Sequence, residues 1–311
     1  MRKNIQQLFE EFMYECEFAR KVKPKTLLAY SNTFQLFIRI IPDCSLDNLT
    51  QETIVRFFKV LQERKRIVGR GSIKVGIKKS TVATYWIKLN AFFEWLTVRK
   101  HITSNPFSTM RFPSPEYVDK KFLKKEDIEK IITGIHSLHN NNILALKRNL
   151  VIFYILLFCG LRREELLSLQ VRDIDFARKT LTVRGETSKS GRSRDIPLHS
   201  TVLMHLKDYF DSRRTYTTPY LIVSTLQDEK LTDFGLKHLI DKLKLQTGVE
   251  FHVHQLRHTF AVNFLKTSNN ILKLKQLMGH KDISITMIYL RCLPVSEFRG
   301  DIENMNIDSL I

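Results

Sequence analysis

Apolar residues recur every three or four positions along the N-terminal third of the chain, which is the spacing of amphipathic helices. Four such stripes are present: Ile5, Leu8, Phe9 and Phe12; Leu27, Tyr30, Phe34 and Phe37; Ile54, Phe57, Phe58 and Leu61; and Val82, Trp86, Leu89, Phe93 and Leu96. Thr50 and Ser80 precede the third and fourth stripes and are suitable N-caps. Four helices with short connections predict a small helical bundle.

Prolines interrupt the helical pattern after this bundle. Asn105-Pro106 and Pro113-Ser114-Pro115 lie here, and proline lacks a backbone donor and restricts the residue before it. Lys124-Lys125-Glu126-Asp127 then has the composition of a helix start. We therefore expect three parts: a helical domain at residues 1–110, a linker at residues 111–121 and a second domain at residues 122–311.

The second domain is predicted to be mainly helical. Residues 180–184 alternate like a strand, and residues 194–198 can return as its antiparallel partner. The turn-like residues between these strands place Lys189 at or near a hairpin tip. Helices are expected at about residues 200–213, 232–246, 255–266, 271–279 and 283–290. The predicted fold class is therefore mainly α with a small β-sheet.

The chain is strongly basic. Its 50 Lys and Arg residues outnumber its 32 Asp and Glu residues, which gives a formal net charge of +18 and a pI near 9.8. Such a charge suits a polyanion, and nucleic acid is the expected partner. A membrane surface is the alternative, but the longest apolar run, residues 150–159, is too short to span a bilayer and fits a buried core helix. Because no leader-like segment opens the chain, we expect a cytoplasmic protein with no membrane partner.

A basic segment lies between the last two predicted helices of the bundle. It combines three glycines with the following Lys and Arg residues: Arg64, Lys65, Arg66, Arg70, Lys74, Lys78 and Lys79. A basic loop of this kind can follow a phosphate backbone, so these residues are candidate DNA contacts. A solvated surface loop is the alternative interpretation.

Neither a disulfide framework nor a metal site is indicated. The chain has these cysteines: Cys16, Cys44, Cys159 and Cys292. They lie far apart and form no Cys-x-x-Cys pair, so reduced, packed thiols are expected. The histidines His252, His254, His258 and His280 could form a metal cluster. However, zinc sites usually include a thiolate or carboxylate, and Arg257 lies among these histidines instead, so we expect no metal.

Five stretches of the C-terminal half each carry a group suited to attack on a phosphodiester: Gly160-Leu161-Arg162, Thr187-Ser188-Lys189-Ser190-Gly191, His254-Gln255-Leu256-Arg257-His258, Leu277-Met278-Gly279-His280 and Tyr289. Negative charge builds on the phosphate oxygens during such an attack, and fixed cations lower the barrier. Arg162 and Arg257 can clamp one phosphate with paired hydrogen bonds. Gly160 is expected to end its helix in a left-handed cap, which points Arg162 out of the fold.

A nucleophile and proton-transfer groups complete this set. Tyr289 is the candidate nucleophile, and a phenol with a pKa of about 10 must lose its proton during attack. His254 is the candidate proton acceptor and phosphate ligand. Lys189 can protonate the leaving 5′-oxygen, and His280 can donate a further hydrogen bond to the phosphate. Lys179 is a poorer rival to Lys189, since it precedes the first strand of the hairpin.

Three neighbouring residues have less specific interpretations. His258 is expected to be a packed or capping histidine. Glu165 and Asp173 could orient the arginines through salt bridges, or they could be ordinary acids on a helix surface.

At these residues the chain resembles the tyrosine recombinase family, also called phage-type integrases or Xer-like recombinases. Residues 160–166 look like the first arginine box of that family, residues 254–258 like its second, and residues 277–289 like its third. The resemblance covers residues 120–293 in detail and residues 1–110 more loosely. Departures from the family pattern occur at Arg163-Glu164, His252 and Ile285, and none of them is a catalytic position of the family.

The resemblance implies a C-shaped clamp of two domains around duplex DNA. It also implies that Tyr289 forms a link to a 3′-phosphate and frees a 5′-hydroxyl, and that another 5′-hydroxyl then reverses the link. Neither a nucleotide nor a metal cofactor is implied, because the ester keeps the bond energy. The implied partners are double-stranded DNA with a specific recombination site and further protomers, in a homotetramer or heterotetramer on synapsed DNA.

Other functions stay open at this point. They are a non-catalytic DNA-binding protein on the same fold and a type IB topoisomerase. Within the family, Xer-like dimer resolution and integration or excision of a mobile element are both compatible with the sequence. The helical pattern begins at about residue 4, which favours a compact enzyme over phage integrases with an arm-binding domain. Residues 294–311 could fold onto their own domain or dock into a neighbouring subunit, and we favour the second.

Overall fold

A computed structural model describes residues 3–68, 71–114, 122–138, 142–188 and 191–293. The chain divides into two compact units, residues 1–118 and residues 119–311. Each unit has its own hydrophobic core. Four sets of residues discussed above lie outside the described residues: Arg70, Lys189, residues 115–121 of the expected linker, and residues 294–311.

The N-terminal unit contains these α-helices in its described residues: α1 (Ile5–Tyr14), α2 (Pro24–Ile40), α3 (Gln51–Glu63) and α4 (Lys79–Val98). The predicted helices are thereby confirmed. Thr50 caps α3 as expected, since its hydroxyl accepts a hydrogen bond from the Thr53 amide at 3.3 Å. Ser80 is not the cap of α4, and that prediction is wrong. The turn at Gly76 brings the chain into the helix earlier, at Lys79.

Aromatic side chains fill the core of this unit. Phe9 of α1 stacks on Phe34 of α2 with ring centroids 3.8 Å apart, and Phe92 of α4 meets Phe9 edge-on at 5.2 Å. Phe37 and Phe57 are fully buried in edge-to-face contact at 5.2 Å. Burial of each such side chain contributes about 1.5–3 kcal/mol, so the apolar stripes stabilise the bundle by packing on one another.

The basic segment between α3 and α4 is a β-hairpin and not a loop, which corrects the prediction. Strand β1 (Lys65–Val68) pairs antiparallel with β2 (Ser72–Val75), and Lys65 lies opposite Val75. Gly76 at its base has φ +71°, and a Cβ there would lie 2.5 Å from the carbonyl oxygen of Gln62. The glycine therefore lets the chain leaving β2 pass directly against the end of α3.

The C-terminal unit contains these α-helices in its described residues: α5 (Lys125–Leu138), α6 (Ile143–Cys159), α7 (Arg163–Leu167), α8 (Ser200–Ser212), α9 (Asp233–Thr247), α10 (Val253–Ser268), α11 (Ile271–Met278) and α12 (Ser284–Met287). Helix α6 packs against α8 and α10, and α5 packs against α9. Residues 150–159 form the second half of α6 and are largely buried, which confirms the predicted core helix. The helix expected at about residues 283–290 is shorter in the structure, where α12 ends at Met287 and Tyr289 lies just beyond it.

A small sheet lies at one side of this unit. Strand β4 (Thr180–Val183) pairs antiparallel with β5 (Arg194–Pro197), with Leu181 opposite Ile196. The predicted hairpin is thereby confirmed. A third strand, β3 (Ile174–Asp175), pairs with β4 and was not predicted, because two residues are too few to display alternation.

The fold class is confirmed as mainly α with small β-sheets. In the described parts of the chain, no helix is long and apolar enough to cross a lipid bilayer. Cys16, Cys44, Cys159 and Cys292 form no disulfide, and Cys16 and Cys159 are buried.

Candidate active site

The C-terminal end of α6 positions the first motif. Gly160 ends this helix in the left-handed region at φ +59°, as predicted. A Cβ at this position would lie 2.3 Å from the ring of Phe260, so the left-handed turn and the close packing both require glycine. The carbonyl oxygen of Gly160 accepts a hydrogen bond from Nη1 of Arg257. The turn thus brings the second motif against the first.

Arg162 follows this turn in an extended conformation and precedes α7. Its backbone N–H donates to Oε2 of Glu165 at 2.9 Å, and its Nη1 donates to Oε1 of the same residue at 2.8 Å. Its Nη2 donates to the carbonyl oxygen of Gly279 at 3.2 Å. About a fifth of the Arg162 side chain, 21%, stays exposed, so the guanidinium reaches the surface of the site.

Glu165 is the buried anion of the site, with a side chain 1% exposed. Arg194 of β5 donates to both of its oxygens, at 2.7 and 3.2 Å, and Nη1 of Arg257 lies 4.0 Å away. Burial raises the pKa of Glu165, but the hydrogen bonds and charge of Arg194, together with Arg162, outweigh burial and lower that pKa to about 2. Glu165 therefore stays ionised and holds the arginines together.

The alternative interpretation, that Glu165 and Asp173 are ordinary acids on a helix surface, is wrong. Asp173 is 5% exposed, and its Oδ2 lies 3.1 Å from Nε of Arg184. Like Glu165, it is a buried carboxylate with an arginine partner. The arginine partner of Asp173 is Arg184, whereas Glu165 contacts Arg162 and Arg257, the two arginines of the motifs.

Arg257 of α10 connects all three motifs. In addition to the Gly160 carbonyl, it donates from Nη2 to the carbonyl oxygen of Met278 at 2.8 Å, and this Nη2 lies 3.0 Å from Nε2 of His280. Burial and the nearby Arg162 charge lower the pKa of Arg257 to about 9. The guanidinium therefore keeps its positive charge at neutral pH, held by carbonyl groups at the ends of α6 and α11.

The tautomer of His280 follows from its neighbours. Because a guanidinium nitrogen only donates, Nε2 of His280 must accept the hydrogen bond from Arg257. The proton then lies on Nδ1, which is 2.8 Å from Oγ1 of Thr286. Thr286 is fully buried on α12 and was not singled out from the sequence. His280 is thus a neutral imidazole fixed by Arg257 on one side and Thr286 on the other.

Tyr289 lies beside these groups in the same chain. Its side chain is 2% exposed and belongs to a small core with Phe260 and Met278. The Tyr289 ring lies parallel to that of His280, with centroids 6.5 Å apart. Burial raises the pKa of Tyr289, while the positive charge of Arg257 opposes this rise. The phenol is therefore protonated and close to the cationic part of the site.

The two histidines of the second motif lie one turn apart on α10. Their rings stack with centroids 5.7 Å apart, and His254 is exposed while His258 is half-buried. Nδ1 of His258 lies 2.9 Å from the hydroxyl of Tyr289. His258 therefore packs against the rings of His254 and Tyr289, as a packed histidine was expected to do, and its contact with the Tyr289 hydroxyl was not predicted. Its position one turn after His254, facing the same way, is the sequence signal that could have indicated this contact.

Of the predicted catalytic residues, the structure brings together Arg162, His254, Arg257, His280 and Tyr289, and Lys189 lies outside the described residues. Arg194 was missed, although strand alternation gave a signal. It lies two residues before the buried Ile196, so its side chain must point to the same inner face. In the described ranges, no group of three or more His, Cys, Asp or Glu residues could hold a metal ion.

The candidate DNA contacts of the N-terminal unit lie at the β1–β2 hairpin and the start of α4. Lys65, Lys74, Lys78 and Lys79 are exposed, and Arg64 is half-buried at the end of α3. Arg66, also half-buried, donates from Nε to the carbonyl oxygen of Gly76 at 2.9 Å. The exposed lysines are thus presented to solvent on a hairpin whose base is anchored.

Comparison with known proteins gives the family. The phage integrase family model matches residues 121–294, and the model of the phage integrase N-terminal SAM-like domain matches residues 8–102. A tyrosine recombinase of Pseudothermotoga lettingae is 26% identical over 94% of this chain and 96% of the relative. Tyrosine recombinase XerC of Bacillus subtilis is 26% identical over 92% of this chain and 91% of the relative.

The same fold occurs among solved structures. The Tn1549 transposon integrase, in complex with transposon right end DNA, matches with a TM-score of 0.76 and 18% identity over 97% of this chain and 99% of that chain. The chain belongs to the phage integrase family, the tyrosine recombinases, which cleave and rejoin DNA strands. The predicted class of enzyme, a site-specific tyrosine recombinase, is thereby confirmed.

Proposed function

We propose that this chain cleaves and rejoins duplex DNA at a specific recombination site, with Tyr289 as its nucleophile. The observation that carries the proposal is the position of the Tyr289 phenol. It lies in the same chain as the two arginines, beside His280, whose Nε2 accepts a hydrogen bond from Arg257. Tyrosine attack on a phosphate needs a phenol and fixed cations in one place.

The phosphate ligands in this proposal come from all three motifs. Arg162 and Arg257 neutralise the charge that develops on the non-bridging oxygens. His254 is exposed on α10 and binds the phosphate from the solvent side. His280 can donate a hydrogen bond to the phosphate from Nε2 once its contact with Arg257 is broken and this nitrogen carries a proton. Arg257 and Tyr289 are both 2% exposed, so DNA binding must open the site before attack.

The proposed reaction exchanges one phosphodiester for another. The Tyr289 hydroxyl oxygen forms a bond to phosphorus, and the bond from phosphorus to the 5′-oxygen breaks. The phenol gives up its proton, and the 5′-oxygen leaves as a hydroxyl with a proton from Lys189. Attack by a 5′-hydroxyl on the phosphotyrosyl link reverses these steps and rejoins the strand. Arginine cations supply the charge stabilisation, so no metal or nucleotide cofactor is included in the proposal.

We propose that the β1–β2 hairpin and the start of α4 contact the DNA backbone. Lys78 and Lys79 begin α4, and the first turn of this helix contains no acidic residue. Lysines at a helix N-terminus oppose the helix dipole, so their position is favourable only when an anion is near. Lys65 and Lys74 extend the same basic surface along the hairpin.

On the larger scale, we propose that both domains contact the same DNA duplex. Four protomers then assemble on two synapsed sites, and residues 294–311 dock into a neighbouring subunit. Removing residues 296–311 is expected to weaken cooperative binding to a two-site DNA.

Dimer resolution and integration or excision of a mobile element are both compatible with this chemistry. A cytoplasmic location remains part of the proposal.

The test uses a nicked suicide DNA, in which the 5′-hydroxyl fragment diffuses away after cleavage and traps the covalent complex. Candidate sites come from sequencing host DNA that is covalently captured by the protein. We expect wild-type chain to form the complex and Tyr289→Phe to bind the same DNA without forming it. DNA binding with no adduct from either protein would favour a non-catalytic DNA-binding protein. Relaxation of any supercoiled plasmid, regardless of its sequence, would favour a topoisomerase.

A further inference from the structure

The hydroxyl of Tyr289 has a base in direct contact. Nδ1 of His258 lies 2.9 Å from this oxygen, and the two ring centroids are 5.5 Å apart. His258 lies on α10, where its half-buried ring stacks on the exposed ring of His254. The reacting oxygen of the proposed nucleophile is thus hydrogen-bonded to the inner of two stacked imidazoles.

The direction of this hydrogen bond follows from acid strength. An imidazole is a stronger base than a phenol oxygen, so the O–H of Tyr289 donates and Nδ1 of His258 accepts. The phenol lies in an apolar cluster where its anion is unfavourable. Burial therefore disfavours ionisation of the phenol before attack, and an acceptor in contact with its hydroxyl assists the attack.

We propose that His258 is the base that takes the Tyr289 proton when the tyrosine attacks the phosphate, and that it returns this proton when the strand is rejoined. This inference rests on the proposed function. As the bond from the Tyr289 oxygen to phosphorus forms, the phenol proton moves to Nδ1 of His258. The bond from phosphorus to the 5′-oxygen breaks, and Lys189 supplies the separate proton that this oxygen needs. His254, exposed on the outer side, is a phosphate ligand and not the acceptor.

The charged and titratable groups around this pair set its pH dependence. His254 stacks on His258, and Arg257, Arg162, His280 and Cys292 surround Tyr289. The neutral form of His258 accepts the proton, so the cleavage rate rises with pH as this imidazole loses its own proton and then levels off. The contribution of His258 to this pH dependence is isolated by comparing variants.

The first experiment measures single-turnover formation of the covalent complex on a nicked suicide DNA, as a function of pH. In His258→Asn the side-chain carbonyl takes the place of Nδ1, so it can accept the hydrogen bond but not the proton. We expect the plateau rate to fall about 10²-fold or more, with loss of the rise assigned to His258 and unchanged DNA affinity. The matched control is His252→Asn, an exposed histidine at the start of the same helix, which is expected to react like wild type.

The second experiment uses DNA with sulfur in place of the leaving 5′-oxygen. A thiolate leaves without a proton, so this DNA is expected to restore cleavage by Lys189→Ala but not by His258→Asn. A near-wild-type rate and pH profile for His258→Asn, or its rescue by the sulfur DNA, would overturn the inference. If wild-type chain formed no Tyr289-dependent complex at all, the proposed function would fail instead.

Discussion

Arg162 is partly exposed, whereas Arg257 and Glu165 beside it are buried. It can therefore be removed with little loss of packing. We expect Arg162→Ala to lower cleavage by about 10²–10³-fold, because a preorganised cation for the transition state is lost. DNA affinity should change only a few-fold, since the wider basic surface supplies it.

The matched control for this prediction is Arg163→Ala. Arg163 is the next residue along the chain, and its partner is the exposed Asp233 at 2.8 Å. Its removal deletes the same charge and should leave cleavage close to wild type. Binding and cleavage are measured on one DNA. Equal loss of both in Arg162→Ala would show that Arg162 has a structural role.

Glu165 gives a prediction about stability and pH. Its pKa in the folded chain is about 2, below the ordinary value of 4.5, so its ionised form stabilises the fold at neutral pH. We expect Glu165→Gln to lower the free energy of unfolding by about 3 kcal/mol at neutral pH, since Arg194 and Arg162 lose a buried partner.

The stabilisation by Glu165 is present above pH 4.5 and is lost as the pH falls from about 4.5 towards about 2. Denaturant titrations of wild type and Glu165→Gln should therefore converge across this range. The interpretation of Glu165 as a buried anchor would be contradicted by a difference that stays constant with pH.

At this scale the sequence identifies residue types but not their contacts. Arg162, Arg257 and Tyr289 could be chosen because arginine forks and a phenol have specific chemistry. The partnership of Glu165 with Arg194 could not be derived, because these residues are far apart in the chain and only the folded sheet brings them together. The spacing of His258 from His254 indicates that both face the same way, but the contact of His258 with Tyr289 also depends on how α10 faces the residues after α12.

Among the elements, the end of α6 has the most direct effect on the site. Gly160→Ala places a methyl group against the buried ring of Phe260 and strains a left-handed residue. It should also move the carbonyl that accepts a hydrogen bond from Arg257. We expect a stability loss of more than about 2 kcal/mol, and a loss of cleavage by the protein that stays folded.

Gly248→Ala is the control for this prediction, because Gly248 ends α9 at φ +69° with open space around it. It should show only the left-handed strain, about 1–2 kcal/mol, and normal cleavage. Melting curves and covalent trapping measure the two effects. Equal behaviour of the two variants would contradict the role given to the packing of Gly160.

The β1–β2 hairpin gives a prediction about salt. If Lys65 and Lys74 each contact one phosphate, Lys65→Ala with Lys74→Ala should reduce the slope of log affinity against log salt by about 2. The control removes two exposed lysines from α5 and α9, Lys130 and Lys237. The binding measurement is a salt titration of all three proteins. A slope that falls equally in both double variants would indicate a diffuse charge effect and no contact by the hairpin.

Elements were predictable where periodicity was long and unbroken. The bundle helices and α8 to α11 follow from apolar spacing, and the β4–β5 hairpin from alternation. The β1–β2 hairpin was not predicted, because β2 is exposed along its length and has no buried face to produce an alternating pattern. In the same way, β3 is too short for any pattern.

For the whole molecule, net charge predicted the kind of partner, whereas the order of the motifs predicted the family. A net charge of +18 indicated a polyanionic partner without locating its surface. The order of the motifs indicated the family. The fold explains how motifs that are far apart in the chain form one site. Backbone carbonyls at the ends of α6 and α11 both accept hydrogen bonds from Arg257, so segments far apart in sequence meet at one point.

The most direct test is to identify the residue that becomes joined to DNA. The covalent complex is digested with protease and nuclease, and the modified peptide is sequenced by mass spectrometry. We expect one nucleotide 3′-phosphate ester, located on Tyr289. An ester on any other tyrosine, or a link to a 5′-phosphate, would contradict this expectation.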